Sequence, residues 1–221
     1  MHQLTKSYPQ QKVFENLSFD LQEEEILCVL GPSGSGKSTL LRCLCGLEKW
    51  DSGKIVFNGK EVDSIDAEKM NISVVFDEPR LIRHLTVYEN IALGCQYRGL
   101  SKEILDQRVK DIAKQTELTD FLNRKPACLS AGQKQRVALA RALVRECDLL
   151  LLDEALNNLD EPLRKKMLDL LFRLKDLYHF SCIYVTHSQL EAKMINGRGL
   201  FFHNGKWAVF SECSKYLEKI D

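Results

Sequence analysis

The 221-residue sequence predicts an α/β fold built on a mainly parallel sheet, and three observations carry that prediction. Apolar runs at Ile26 to Leu30, Ile72 to Phe76, Leu149 to Leu152 and Cys182 to Val185 are continuous rather than alternating, the pattern of strands buried on both faces. Between the second and third runs the chain has helical texture over several tens of residues. Three of the four runs end at a polar motif, and in open α/β sheets ligands collect at the carboxyl ends of parallel strands. One site assembled from several strand ends is the expectation.

The first run feeds Gly31-Pro32-Ser33-Gly34-Ser35-Gly36-Lys37-Ser38-Thr39, in which Gly31, Gly36, Lys37 and Ser38 have phosphate-loop spacing. Glycines let the backbone curl until its N–H groups and the start of the next helix face phosphate oxygens. Lys37 then reaches the β and γ phosphates, and Ser38 offers its hydroxyl to Mg²⁺. A nucleoside triphosphate with Mg²⁺ is the ligand this chemistry fits.

After the run ending at Phe76 comes Asp77-Glu78-Pro79-Arg80-Leu81, and then helix. Ser101 to Glu117 is rich in helix formers, with Ile104, Leu105, Val109 and Ile112 at helical spacing. We read one domain, 1–221, whose core (1–78 and 148–221) carries an inserted helical lobe at about 79–147. Within the lobe, Ser130 and Gln133 form a capping box that starts a helix. Gly132 does not fit that account, because glycine in a first turn costs helix stability. It does permit an anion to approach bare backbone N–H groups.

The tetraleucine run ends in Asp153-Glu154. An aspartate at the end of a buried strand beside a phosphate loop can hold Mg²⁺, directly or through water. The next residue points the other way and can polarise an attacking water, so Glu154 is the expected general base. Asp160 is placed to cap a helix whose stripe is Leu163, Met167, Leu170, Leu171, Leu174 and Leu177. The fourth run leads into Thr186-His187-Ser188, with Ser188 and Glu191 spaced as a second capping box. Leu200 to Phe202 and Trp207 to Phe210 around Asn204-Gly205 read as a β-hairpin.

Composition narrows the function classes. Thirty-one Lys and Arg balance thirty-one Asp and Glu, leaving no basic field for a nucleic-acid backbone or an anionic bilayer. No apolar run approaches the roughly 18 residues that a membrane span requires. The start, Met1 to Lys6, lacks a secretory pattern, so a cytosolic location is expected. Eight cysteines are scattered without a Cys-x-x-Cys pair and read as reduced, mostly buried thiols. Cys43 and Cys45, just past the phosphate loop, raise the expectation that oxidation affects nucleotide binding.

The phosphate loop, Leu129-Ser130-Ala131-Gly132-Gln133 and Leu149 to Glu154, in that order and spacing, resemble the ATPase subunits of ATP-binding cassette (ABC) transporters. The resemblance runs from Leu4 to about Ala192. It implies a P-loop NTPase core with a mainly parallel sheet, an N-terminal antiparallel β portion and the inserted helical lobe. It further implies that Tyr8 stacks on adenine and that Ser130, Gly132 and Gln133 bind the γ-phosphate of ATP held by a second copy. His187 would contact the γ-phosphate as a switch histidine, with Asp160 crossing the interface of a head-to-tail dimer. Asp77 stands where the family has glutamine, and a carboxylate there can still bind Mg²⁺. Its added charge near the γ-phosphate is expected to slow hydrolysis. Ala155, Ala131 and Ser188 are further departures from the usual proline, glycine and aspartate.

Glu78-Pro79-Arg80-Leu81 with Leu85-Thr86-Val87-Tyr88-Glu89-Asn90 looks like the ATPases of bacterial importers for nitrate, sulfonates and taurine. The resemblance thus implies ATP hydrolysis coupled to solute import at the cytoplasmic face of the membrane, through two permease subunits and an extracytoplasmic solute-binding protein. Arg80, Leu81 and Leu85 are the candidates for the permease-facing groove. Alternatives are an exporter or lipoprotein-release ATPase, a soluble ABC ATPase of repair or translation, and a weakly hydrolysing structural cassette in which Asp77 is the cause. No nucleic-acid partner is expected.

Overall fold

The computed structural model describes residues 1–95, 99–203 and 206–217. The four apolar runs become β3 (Ile26–Leu30), β6 (Ile72–Phe76), β7 (Leu149–Asp153) and β8 (Ser181–Thr186). With β9 (Gly199–His203) they form five parallel strands of a sheet ordered β10-β9-β3-β8-β7-β6, in which only β10 (Lys206–Phe210) runs antiparallel. The expected C-terminal hairpin is thus β9 and β10, paired from Gly199↔Phe210 to His203↔Lys206. Its turn, Asn204-Gly205, lies outside the described residues.

A second, antiparallel sheet is ordered β2-β1-β4-β5, from β1 (His2–Tyr8), β2 (Gln11–Leu17), β4 (Ser52–Phe57) and β5 (Lys60–Val62). Helix α1 (Lys37–Leu44) lies in the same apolar cluster as both sheets. Leu4, Phe14 and Ile55 of the antiparallel sheet, Leu40 and Leu41 of α1, and Leu27, Val29, Leu151 and Ile183 of the main sheet are all buried in it. Because alternate residues of each parallel strand face opposite ways, Leu150, Leu152 and Tyr184 enter the cluster on the other face.

That other face is covered by helices. Between β6 and β7 run α2 (Val87–Ala92), α3 (Lys102–Gln115) and α4 (Ala131–Leu143), and after β7 comes α5 (Glu161–Tyr178). Short helices α6 (Gln189–Ile195) and α7 (Cys213–Leu217) follow β8 and β10. Ser101 caps α3 by accepting from the Ile104 N–H. Val109 and Ile112 are buried as the spacing requires, whereas Ile104 is exposed. Val87, Ile91, Val109, Val137 and Leu143 share one continuous cluster with Leu150, Leu152 and the buried stripe of α5. The helical segment therefore has no apolar core of its own and packs as an extension of the sheet's far face. Leu177 ends the α5 stripe exposed to solvent.

Candidate functional site

The site begins where β3 ends. Gly36 precedes α1 with φ of +96°, and a Cβ there would stand 2.4 Å from Val13 Cγ1, so both conformation and space require glycine. Lys37, only 4% exposed, opens α1 and donates to the carbonyl oxygens of Gly31 (2.8 Å) and Pro32 (2.9 Å). Its Nζ also lies 3.5 Å from Glu154 Oε1. The Ser35 hydroxyl is buried with no hydrogen-bond partner among the described residues. An unpaired buried hydroxyl costs stability, and a phosphate oxygen would satisfy it.

Across the sheet, Ser38 Oγ donates to Asp153 Oδ1 at 3.2 Å, joining the start of α1 to the end of β7. Burial pushes the Asp153 carboxyl above its ordinary pKa. The hydrogen bond from Ser38 and the charge of Arg42 oppose that rise, while the charges of Glu154 and Asp77 add to it. Glu154 follows with a left-handed φ of +51°, and its N–H donates to Val185 O at 3.0 Å. His187 Nδ1 is 3.0 Å from Glu154 Oε2, and Asn157 Nδ2 donates to that same oxygen. Lys37, Asp153, Glu154 and His187 thus converge at the carboxyl ends of β7 and β8.

Lys37, Asp153 and Glu154 border an open cavity of about 640 Å³, whereas His187 is not among its lining residues and meets it only through Glu154. Tyr8, Ser33, Gly34, Gly36, Lys37, Ser38, Thr39, Asp77, Asp153 and Glu154, all singled out from sequence, line it. Gly31, Pro32 and Ser35 belong to the loop itself. Tyr8 is 40% exposed at the rim, with Lys6 Nζ 5.1 Å from its ring centre. Among the described residues no cluster of three or more His, Cys, Asp or Glu could hold a metal. Ser38 and Asp153 are instead a two-ligand set of the kind Mg²⁺ uses together with phosphates and waters.

Ser130, Gly132, Gln133 and Asp160 do not line this cavity. Ser130 and Gln133 complete the capping box at the start of α4, and Asp160 Oδ1 accepts from the Leu163 N–H at 2.9 Å to start α5. Gly132 has a packing reason that its sequence did not reveal: a Cβ there would meet Leu163 Cδ2 at 2.7 Å. The second expected capping box is half made. Ser188 accepts from the Glu191 N–H, but the Glu191 carboxylate is buried, accepting from Tyr184 and Thr186 hydroxyls and pairing with Arg164 Nε at 3.0 Å.

Sequence reasoning missed Gln11, Val13, Arg42, Leu47, Phe76 and Arg80, which also line the cavity. Arg42 had a readable signal, lying one helical turn beyond Ser38. Arg80 did not, since it was grouped with Leu81 as permease-facing, and it turns into the cavity through a left-handed φ of +46°. Leu81 packs on the apolar cluster. Cys43 is fully buried with its thiol pKa pushed up to about 11 by burial, which leaves little thiolate for oxidation and counts against the redox expectation.

A family model described as ABC transporter matches residues 14–157. The chain belongs to the ABC transporter family. Its similar relatives are ATP-binding proteins, among them the spermidine/putrescine import ATP-binding protein PotA of Hahella chejuensis, 42% identical over 92% of this chain and 56% of that protein. The Pasteurella multocida PotA is 38% identical over 93% of this chain and 55% of its own length. The uncharacterized ABC transporter ATP-binding protein YcjV of Escherichia coli O157:H7 is 39% identical over 93% of this chain and 57% of its own length. The chain thus spans a little over half the length of these curated relatives. Among solved structures, cbiO1 from Clostridium perfringens, part of the ABC transporter complex cbiONQ, matches with a TM-score of 0.90 at 25% identity. That match covers 99% of this chain and 90% of the other. An ABC ATP-binding domain accounts for the fold, with its parallel sheet and N-terminal antiparallel sheet, and for the phosphate loop at its centre.

Proposed function

We propose that this ABC ATP-binding domain hydrolyses ATP and couples that cycle to solute import through membrane permease subunits. The observation that supports it most is the convergence of Lys37, Ser38, Asp153 and Glu154 on one cavity, with His187 Nδ1 3.0 Å from the Glu154 carboxylate. Lys37 and the N–H groups of the phosphate loop bind the β and γ phosphates, and Tyr8 receives the adenine ring at the rim. Ser38, Asp153 and Asp77 would hold Mg²⁺, which when bound neutralises charge on the phosphates. Glu154, oriented by His187 and Asn157, takes the proton of the attacking water.

Ser130, Gly132, Gln133 and Asp160 find no work at their own chain's cavity, which favours a second copy arranged head to tail with two shared sites. Closure of such a dimer can shift a permease only by the difference in ATP affinity between open and closed forms. ATP binding therefore drives the membrane step and hydrolysis resets it. The segment about 79–147 is the lobe that would meet two permease subunits at the cytoplasmic face, with a solute-binding protein outside. No described helix is long and apolar enough to cross a membrane, so that attachment would come from the permeases. Import as the direction follows the names of the PotA relatives. These name polyamines, whereas Glu78 to Leu81 pointed to nitrate or sulfonate importers, and the solute itself is left to the permease and binding protein.

Glu154→Gln is the direct test. It is expected to bind Mg-ATP as the parent does and to hydrolyse it at least about a hundredfold more slowly, measured by phosphate release alongside nucleotide titration. Brisk turnover would remove Glu154 from its role. Recovery of an importer-type permease with the tagged protein from detergent-solubilised membranes tests the coupling. Asp77 supports a second reading, a slow cassette paired with a faster one, because it adds a carboxylate to a cavity already holding two.

A further inference from the structure

Arg80 brings a cation to the lining of the cavity. Its guanidinium lies 4.0 Å over the ring of Phe76, the last residue of β6, and Phe76 is the register partner of Asp153 on β7. Asp77, Asp153 and Glu154 line the same cavity as Arg80. Among the described residues the guanidinium makes no ion pair or hydrogen bond, so its donors are uncommitted. The other cations there are differently placed. Lys37 is turned onto the carbonyls of Gly31 and Pro32, and Arg42 lies on α1.

The backbone holding Arg80 is fixed. Its left-handed conformation is costly for a residue with a side chain and persists only where surrounding contacts impose it. Arg141 of α4 supplies those contacts, donating Nη2 to Pro79 O at 2.7 Å and Nη1 to Arg80 O at 3.0 Å. The helix that starts at Ser130 thus anchors the turn that aims Arg80. A planar guanidinium stacked on an aromatic face keeps its edge donors free for a bidentate acceptor, and phosphate is the acceptor whose geometry it matches.

We propose that Arg80 donates to the terminal phosphate of the nucleotide in this cavity and offsets the charge that Asp77 adds. This rests on the reading of the cavity as an ATP site. It makes Arg80 a substrate-binding residue that distinguishes ATP from ADP, and it gives a chain carrying Asp77 a means of tolerating it.

The test compares Arg80→Met and Arg80→Lys, both able to lie along the Phe76 ring, with only the second keeping a charge. Binding of Mg-ATP and Mg-ADP is titrated for each, with Lys37→Ala as the control for the phosphate loop. Arg80→Met is expected to weaken Mg-ATP by about ten- to hundredfold, the loss of a hydrogen bond to a charged group. Mg-ADP should stay within about twofold, with Arg80→Lys recovering most of the ATP affinity. Unchanged Mg-ATP binding in Arg80→Met overturns the inference, as does equal weakening of both nucleotides, which marks a structural prop. Should the parent bind neither nucleotide, the ATP reading falls and this one with it. Parent binding that depends on Lys37 but not on Arg80 removes this inference alone.

Discussion

Asp77 is the residue whose chemistry most sets this cavity apart from the glutamine pattern of the family it resembles. It lines the same cavity as Asp153 and Glu154, and its charge adds to the pressure that raises the Asp153 pKa. A third carboxylate opposes the approach of a polyphosphate, and like charges several Å apart at a protein surface cost on the order of 1–2 kcal/mol. Asp77→Gln removes the repulsion with little change of shape. Turnover at saturating Mg-ATP is expected to rise about tenfold, since 1.4 kcal/mol of barrier is a factor of ten. If phosphate release is no faster in that variant, the substitution is neutral and the slow-cassette reading loses its basis. The effect should be larger when Arg80 is also neutralised, because the repulsion then stands uncompensated.

At the scale of elements, α5 shows how function and stability share residues. Asp160 caps the helix through Leu163 N–H, and Pro at the second helical position and Glu161 in the first turn reinforce the start. Asp160→Ala is expected to cost about 1 kcal/mol, seen as a fall of roughly 2–4 °C in Tm for a domain of this size. A wild-type melting curve would show the cap is dispensable. The strands that build the cavity floor were legible because a buried parallel strand needs unbroken apolar residues, and the phosphate loop because its glycines are dictated by backbone geometry. Arg80 was not legible: one residue in the left-handed region redirects a side chain, and nothing in Glu78-Pro79-Arg80 announces it. The packing reason for Gly132 was not legible, because its partner, Leu163, lies 31 positions away. Glu191 was read as a cap because local spacing cannot show a buried charge claimed by Arg164, Tyr184 and Thr186 from two other elements.

Over the whole molecule, seven of the eight cysteines are buried, and those whose thiol pKa burial raises make stability depend on pH on the alkaline side. Burial pushes the thiols of Cys43 and Cys147 from 9.0 up to about 11, and it raises Cys182 in the same direction. In the folded state these groups keep their protons above pH 9, whereas in the unfolded chain they ionise there. The unfolded state therefore binds fewer protons between about pH 9 and 11, and stability falls as pH rises through that window. Each thiol contributes a slope of up to about 1 kcal/mol per pH unit. Urea unfolding at pH 7, 9 and 10.5 checks this. The midpoint should hold between pH 7 and just below 9 and then drop, with Cys147→Ala showing a shallower fall than the parent over the same interval. An equal slope in that variant would mean the alkaline loss arises elsewhere, in lysine or tyrosine titration. Because Cys43 lies on α1, between the phosphate loop and the antiparallel sheet, loosening there should weaken nucleotide binding before the far helices open. Nucleotide affinity falling in parallel with the urea midpoint would place the first alkaline opening at α1, while affinity held until global unfolding would place it beyond β7.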